Sequence, residues 1–306
     1  MDIYLLLEGR IGNQLFQYAF ARTLQEIAGT GTKVIVDETA VKKMGWINSL
    51  REYELPNVEY VQDKNMLLGR RFLLPYVMYK LYIRLICRAD ARHQFLLEKK
   101  WQPVLNRLGL IGIERGYCDY NINLKRNLIL SGYFQSERFF QSNKSEIKKC
   151  FDLKNQLSEA GYPFIDRLKE RNSVCISIKV EHNAGNYAYD VCHENYYKEA
   201  LAYIMEKVEN PLFFLCSDNV EYAKKQYLDD EQFEVLCQPK EFPAHLSLAA
   251  MSLCKHFVIN NTSFGWWAQF LSENNEKIVV APSKWKNTDD PIGIYDNQTN
   301  WHLIRC

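Results

Sequence analysis

From residue 173 onward, short apolar runs alternate with amphipathic segments, and this rhythm constrains the fold more than any other feature of the chain. The runs are SVCISIKV (173–180), PLFFLCSD (211–218), FEVLC (233–237), HFVIN (256–260) and KIVVAP (277–282); helical patterns fill 194–208, 219–228, 245–254 and 263–273. Strands that are apolar on both faces and joined by helices specify a parallel sheet covered on both sides, an α/β architecture. In such a sheet ligands bind beyond the carboxyl ends of the strands. There the sequence places Lys179 to His182, Ser217 and Asp218, and Asn260, Asn261, Thr262 and Ser263.

The chain opens with the same rhythm. DIYLLLEG is followed by a helical pattern over 13–28 and by KVIVD (33–37), the start of a Rossmann-like unit. Glycines between a first strand and a helix raise the question of a phosphate cradle. Only Gly9 and Gly12 are present, followed by Asn13 and Gln14, and neither a three-glycine fingerprint nor a Gly-Lys-Ser/Thr ending is formed. Side-chain amides both donate and accept, which suits a polyol such as a sugar; a Gly-turn capped by Asn13 ahead of an ordinary helix is the alternative. The stretch from about 40 to 130 is richer in helix and basic residues. LILSGYFQSERFF (128–140) reads as a buried strand running into an aromatic helix start capped by Ser136, and 141–171 as helices whose Lys144–Lys149 run is a solvated face. Two domains are expected, 1–150 with a helical insertion and 151–306.

Composition narrows the function. Thirty-eight Lys and Arg against 37 Asp and Glu leave a net charge of +1, so no global field draws the chain to nucleic acid. Nine cysteines with no CxxC fit reduced thiols in a cytosolic compartment and give no zinc-ligand spacing. The N-terminus lacks a basic region and reads as a strand, and no apolar run reaches the roughly 18 to 20 residues of a membrane span. One segment is unusual. Between Leu67 and His93, Arg70, Arg71, Lys80, Arg84, Arg88 and Arg92 are set among Leu, Tyr, Ile and Met. This is the pattern of an interfacial helix in peripheral contact with a membrane, or of a basic amphipathic helix packed on its own domain.

Several separated motifs together, GRIGNQLFQYAFAR, GYFQSERFF, FFLCSDNVEYAKKQY and MSLCKHFVINNTSFGWWAQFL followed by KIVVAPSKW, resemble the bacterial α-1,2-fucosyltransferases of glycosyltransferase family 11 over nearly the whole chain. The resemblance implies a GT-B fold, two Rossmann-like domains facing across a cleft. It implies an inverting, metal-independent transferase without a cofactor, whose donor GDP-fucose is held mainly by the C-terminal domain. The acceptor, a galactose-like residue of an oligosaccharide or lipid-linked glycan, is implied to bind the N-terminal domain. Gly9, Gly12, Asn13 and Gln14 would line the cleft, and Arg10 would reach the diphosphate. The setting would be O-antigen or capsule synthesis, in the cytoplasm or on the inner face of the cytoplasmic membrane.

One departure stands against these agreements. Family members carry His-x-Arg-Arg-Gly-Asp-Tyr after the strand that is CISIKV here, and the arginine pair is associated with the donor diphosphate. Lys179 stands at the His position, and Glu181 and His182 replace the arginines. A guanidinium grips phosphate in a bidentate fork, whereas a carboxylate repels it. Lys179 then becomes the candidate phosphate-side cation. Glu181, His182 and Asp190 are the candidate bases, His182 preferred for its pKa near 6.5. On the leaving-group side, Thr262, Ser263 and Phe264 open a helix whose amides form an anion seat, with simple capping as the alternative. Asn261 belongs to the same donor-side loop. Ser217 and Asp218 would bind guanine or ribose, or cap the helix that follows. Trp266 and Trp267 are either stacking platforms or core. Three functions stay open: α-1,2-fucosyl transfer, transfer from another nucleotide sugar, and a non-catalytic carbohydrate-binding derivative.

Overall fold

The computed structural model describes residues 1–62, 72–114, 116–121, 126–180, 185–228, 231–288 and 290–306. Glu181 and His182, and positions 67–71 of the basic segment, lie outside the described residues. The chain divides into two compact units, Met1–Cys150 with Asp289–Asn297, and Phe151–Thr288 with Gln298–Cys306. A short segment near the C-terminus thus returns to the first unit.

In the first unit, β1 (Asp2–Leu6), β2 (Lys33–Asp37), β3 (Val58–Val61), β4 (Leu110–Gly112) and β5 (Leu128–Ser131) form a parallel sheet in the order β3-β2-β1-β5-β4. Every residue of the central β1 is buried, as expected of a strand covered on both faces. The helix α1 (Ile11–Ala28) follows β1, and the short α2 (Thr39–Lys43) follows β2. The insertion between β3 and β4 is two helices, α3 (Leu73–Leu85) and α4 (Ala91–Arg107). The basic segment therefore packs in part on its own domain. Phe72, Tyr82 and Ile86 join Tyr4, Leu6 and Ile35 in the core, while the opposite face of α3 is exposed. Pro75 falls in the first turn of α3, where its missing N–H costs nothing. Among the described residues no helix is long and apolar enough to cross a membrane.

Helix α5 (Lys144–Cys150) ends the first stretch of the first unit. The second unit comprises α6 (Lys154–Glu159), α7 (Phe164–Glu170), β6 (Asn172–Ile178), α8 (Glu194–Lys207), β7 (Pro211–Ser217), α9 (Val220–Tyr227), β8 (Glu234–Cys237), α10 (Ala244–Ser252), β9 (His256–Val258), α11 (Ser263–Leu271), β10 (Val279–Pro282) and β11 (His302–Ile304). Its six strands are all parallel, in the order β11-β10-β9-β6-β7-β8. The two-residue alternation of β6 separates its faces. Val174, Ile176 and Ile178 pack with Tyr196, Tyr197, Leu201 and Ile204 of α8, and Ser177 faces the start of α11. Trp266 and Trp267 are fully buried in α11, packed with Phe270 and, for Trp267, Phe151, so they are core. The strands absent from the sequence reading, β3, β4 and β11, are all edge strands of three or four residues.

Candidate functional site

The order in which strands are added reverses in the second sheet between β6 and β9, because β7 and β8 extend it to one side and β10 and β11 to the other. A reversal of this kind leaves a crevice at the strands' carboxyl ends. It collects the residues after β6 (Lys179, Val180), after β7 (Asp218) and after β9 (Ile259 to Ser263).

Asp218 does not cap the helix that follows it. The cap of α9 is Asn219, whose side chain accepts from Tyr222 N. Asp218 instead ties β7 to β6: its Oδ1 accepts from the Val180 amide at 2.7 Å and its Oδ2 lies 3.3 Å from Lys179 Nζ. Two residues picked separately from the sequence are thus one half-buried ion pair, and the Lys179 charge is partly balanced within the protein. Ser217 is occupied locally. Its Oγ accepts from Asn219 N and its carbonyl from Gln238 Nε2, whose Oε1 in turn accepts from Ser247 Oγ at 3.2 Å.

The loop after β9 is organised by two neighbouring asparagines with different tasks. Asn261 is structural. Its Nδ2 donates to the carbonyls of Tyr189 and Trp285 and its Oδ1 accepts from Cys192 Sγ, so its side chain pins the 185–193 loop. Asn287 fastens the same loop through the Tyr187 and Asp190 carbonyls. The Asp190 carboxylate lies 3.6 Å from His193 Nδ1 at the entrance to α8.

Asn260 is different. Thr262 caps α11 by accepting from Gly265 N, so its hydroxyl proton goes to Asn260 Oδ1 at 2.7 Å; Ser177 Oγ donates to the same oxygen at 3.4 Å. These donors fix the amide orientation and aim Nδ2 the other way. That nitrogen is buried, in a residue only 1% exposed, and has no hydrogen-bond partner among the described residues. An unmade buried donor costs about 1–3 kcal/mol, an expense that is recovered when an acceptor arrives. Beside it the first turn of α11 presents backbone amides: those of Gly265 and Trp266 are taken by Thr262, and that of Phe264 lies in the same turn, two residues after the cap. The helix N-terminus adds about half a positive charge.

The glycine motif of the first unit lies at the corresponding reversal, where β1 adjoins β5. Gly9 adopts φ +75°, and an added Cβ would stand 2.5 Å from Asn13 Nδ2. The amides expected to hold a polyol are largely spent on the backbone. Gln14 is buried, donates to the Gly9 and Ile47 carbonyls at 2.8 Å each and accepts from Ser49 N. Gln17 exchanges a pair of bonds with Glu8 N and O. Asn13 Oδ1 accepts from Gln135 Nε2 at 2.8 Å, joining the first turn of α1 to the loop after β5. To point Gln135 this way, Phe134 takes the left-handed conformation (φ +50°) and buries its ring against Phe20 and Phe139. Gly12 is buried within α1, whereas the Arg10 side chain is exposed. The 47–52 turn is held from its other side by Glu38, whose buried carboxylate accepts from Arg51 Nε at 2.5 Å and Asn48 Nδ2 at 2.7 Å. Burial alone would raise this carboxyl; the bonds from Arg51 and Asn48 and the Arg51 charge outweigh it, and its pKa is lowered to about 2.

The sequence reading missed Asn260 as distinct from Asn261, as well as the Ser177, Gln238 and Glu38 contacts. The signal for the first-motif clamps was available: Gln14 and Gln17, one turn apart, both face the loop that precedes the helix.

The family model described as glycosyl transferase family 11 matches residues 2–304. The O-antigen biosynthesis glycosyltransferase WbnK of Escherichia coli is 24% identical over 297 residues, covering 92% of this chain and 94% of that protein. An alpha-1,2-colitosyltransferase of Escherichia coli is 24% identical over 292 residues, 91% of this chain and 90% of that protein. Among solved structures, the fucosyltransferase NodZ from Bradyrhizobium superposes with a TM-score of 0.51 at 12% identity, covering 89% of this chain and 92% of that one, a likeness of GT-B fold.

Proposed function

Because the chain belongs to glycosyl transferase family 11 and is a glycosyltransferase, we propose that it moves L-fucose from GDP-fucose to the 2-hydroxyl of a galactose-like acceptor in surface polysaccharide synthesis. The observation that carries the donor placement is the buried Asn260 Nδ2, unpartnered among the described residues, beside the N-terminus of α11 at the β6/β9 reversal. In the proposed transfer the acceptor oxygen forms a bond to the sugar's anomeric carbon as the bond to the diphosphate breaks on the opposite face, which inverts that carbon. GDP departs with the bonding electrons. Its developing charge falls on Asn260 Nδ2, the Phe264 amide and the positive end of α11, groups already oriented before the reaction. Lys179 supplies a cation at the same edge, and His182 is proposed to take the acceptor proton.

The first unit is assigned the acceptor. The reaction is proposed to need no metal and no cofactor. A second reading keeps the site and changes the sugar, since Glu181 and His182 stand where the family resemblance leads one to expect an arginine pair, Lys179 is partnered by Asp218, and one relative is named a colitosyltransferase. Calorimetric titration with GDP, UDP, CDP and dTDP, with and without EDTA, tests the proposal: GDP should bind most tightly and EDTA should change nothing. A preference for UDP, or binding that EDTA abolishes, defeats it. Turnover of GDP-fucose against other GDP-linked deoxysugars then separates the two readings.

A further inference from the structure

The outward surface of α3 and α4 combines exposed apolar side chains with basic ones. Both helices are oriented by buried contacts. Tyr82 OH and Gln94 Nε2 donate to Glu98 Oε1 at 2.9 and 3.0 Å, and Gln102 exchanges two bonds with the Gly112 backbone. With these inner faces fixed, Leu73, Val77, Leu81 and Leu85 recur every fourth residue along the outer face of α3, each between 43% and 65% exposed. Leu96, Trp101 and Val104 are exposed on α4. Lys80 and Arg84 share the α3 face, and Arg92, Lys99 and Lys100 are exposed on α4.

Charge of the other sign is nearly absent. Residues 72–107 hold seven Lys and Arg against two carboxylates, in a chain whose total charge is +1. Of the two, Glu98 is buried and Asp90 caps α4 and pairs with His93. A helix surface meant for water mixes both signs and breaks up its apolar residues; this one does neither.

We propose that the outer face of the α3–α4 hairpin docks on an anionic lipid bilayer, with the leucine row of α3 entering the headgroup region and the lysines and arginines reaching lipid phosphates. The uniform positive charge selects this occupant, since long basic side chains can lay their stems along the apolar row and keep their charged ends at headgroup level. The inference is independent of the sugar that the enzyme transfers.

Co-sedimentation of the full chain with phosphatidylcholine vesicles, with and without equal parts of phosphatidylglycerol, tests it. Binding is expected only with phosphatidylglycerol and should weaken with salt. Each basic residue near such a surface is worth about fivefold in partitioning, so Arg84→Glu with Lys99→Glu should cost about 25-fold or more. Leu81→Ser with Leu85→Ser should also release the protein, including at low salt. Circular dichroism and GDP titration should match the parent in both variants, which keeps this result separate from any failure of the donor assignment. Equal binding to both vesicle types, no binding by the parent, or unchanged binding by either folded variant overturns the proposal. So does a dimer that Leu81→Ser with Leu85→Ser dissociates in the absence of any vesicle binding, since the face would then belong to a second copy.

Discussion

A single amide carries much of the donor assignment. Asn260→Asp keeps an oxygen for the Thr262 and Ser177 hydroxyls and exchanges only Nδ2 for a second oxygen. If that nitrogen meets the donor phosphates, the change should weaken GDP binding about 100-fold or more in calorimetry, because a charge-assisted bond worth about 1.5–3 kcal/mol is lost and a repulsion is added. A change under threefold would remove Asn260 from the site. The Lys179–Asp218 pair yields a prediction with two opposite signs. Lys179→Ala removes the cation and leaves the carboxylate, so GDP affinity should fall about tenfold or more. Asp218→Asn releases the cation and should raise affinity severalfold at low salt. A purely structural pair would instead lower thermal stability in both variants and leave affinity alone.

At the scale of elements, the loops that follow β1 and β2 are held as one assembly by side chains from α1 and by Glu38. Its carboxyl is an acid sensor of that assembly. The folded-state pKa, about 2, lies below the ordinary 4.5, so its contribution is fully present above pH 4.5 and is lost as pH falls towards 2. After allowing for the half-exposed Arg51 and Lys42, the contribution is roughly 2 kcal/mol at neutral pH. Denaturant unfolding should find Glu38→Gln less stable than the parent by that amount at pH 7, with about half of the gap closed near pH 3. A gap that does not depend on pH would show that packing, and not charge, holds the turn. Gly9→Ala tests the neighbouring loop. Its positive φ and the 2.5 Å approach to Asn13 predict a loss of about 1–2 kcal/mol, read as a lower unfolding midpoint.

For the whole molecule, ligand linkage gives the simplest measurement. GDP at 100 times its dissociation constant should stabilise the folded chain by about 2.7 kcal/mol, visible as a rise in melting temperature that UDP matches only at higher concentration. Because the nucleotide contacts are assigned to the second unit, limited proteolysis should show protection concentrated after residue 150. Protection confined to the first unit would reverse the assignment of donor and acceptor.

Element types and order were legible in the sequence because period decides them. The runs at 173–180, 211–218, 256–260 and 277–282 could only be buried parallel strands, and the four motifs carried the family. Short edge strands escaped, since three residues such as His302–Ile304 have no period to read and gain their identity by pairing with β10. The site was half legible. Its neighbourhood follows from where strands end, so Lys179, Asp218 and the 260–264 loop were all found. Their roles were not, because a polar side chain's function is set by which partner lies within about 3 Å, and those partners come from distant sequence. Asn260 and Asn261 are chemically identical neighbours; only the packing of β6, α11 and the 185–193 loop commits one amide to the backbone and leaves the other buried with an acceptor still to find. Gln14 likewise reads as a sugar ligand until the 47–52 turn arrives to occupy it.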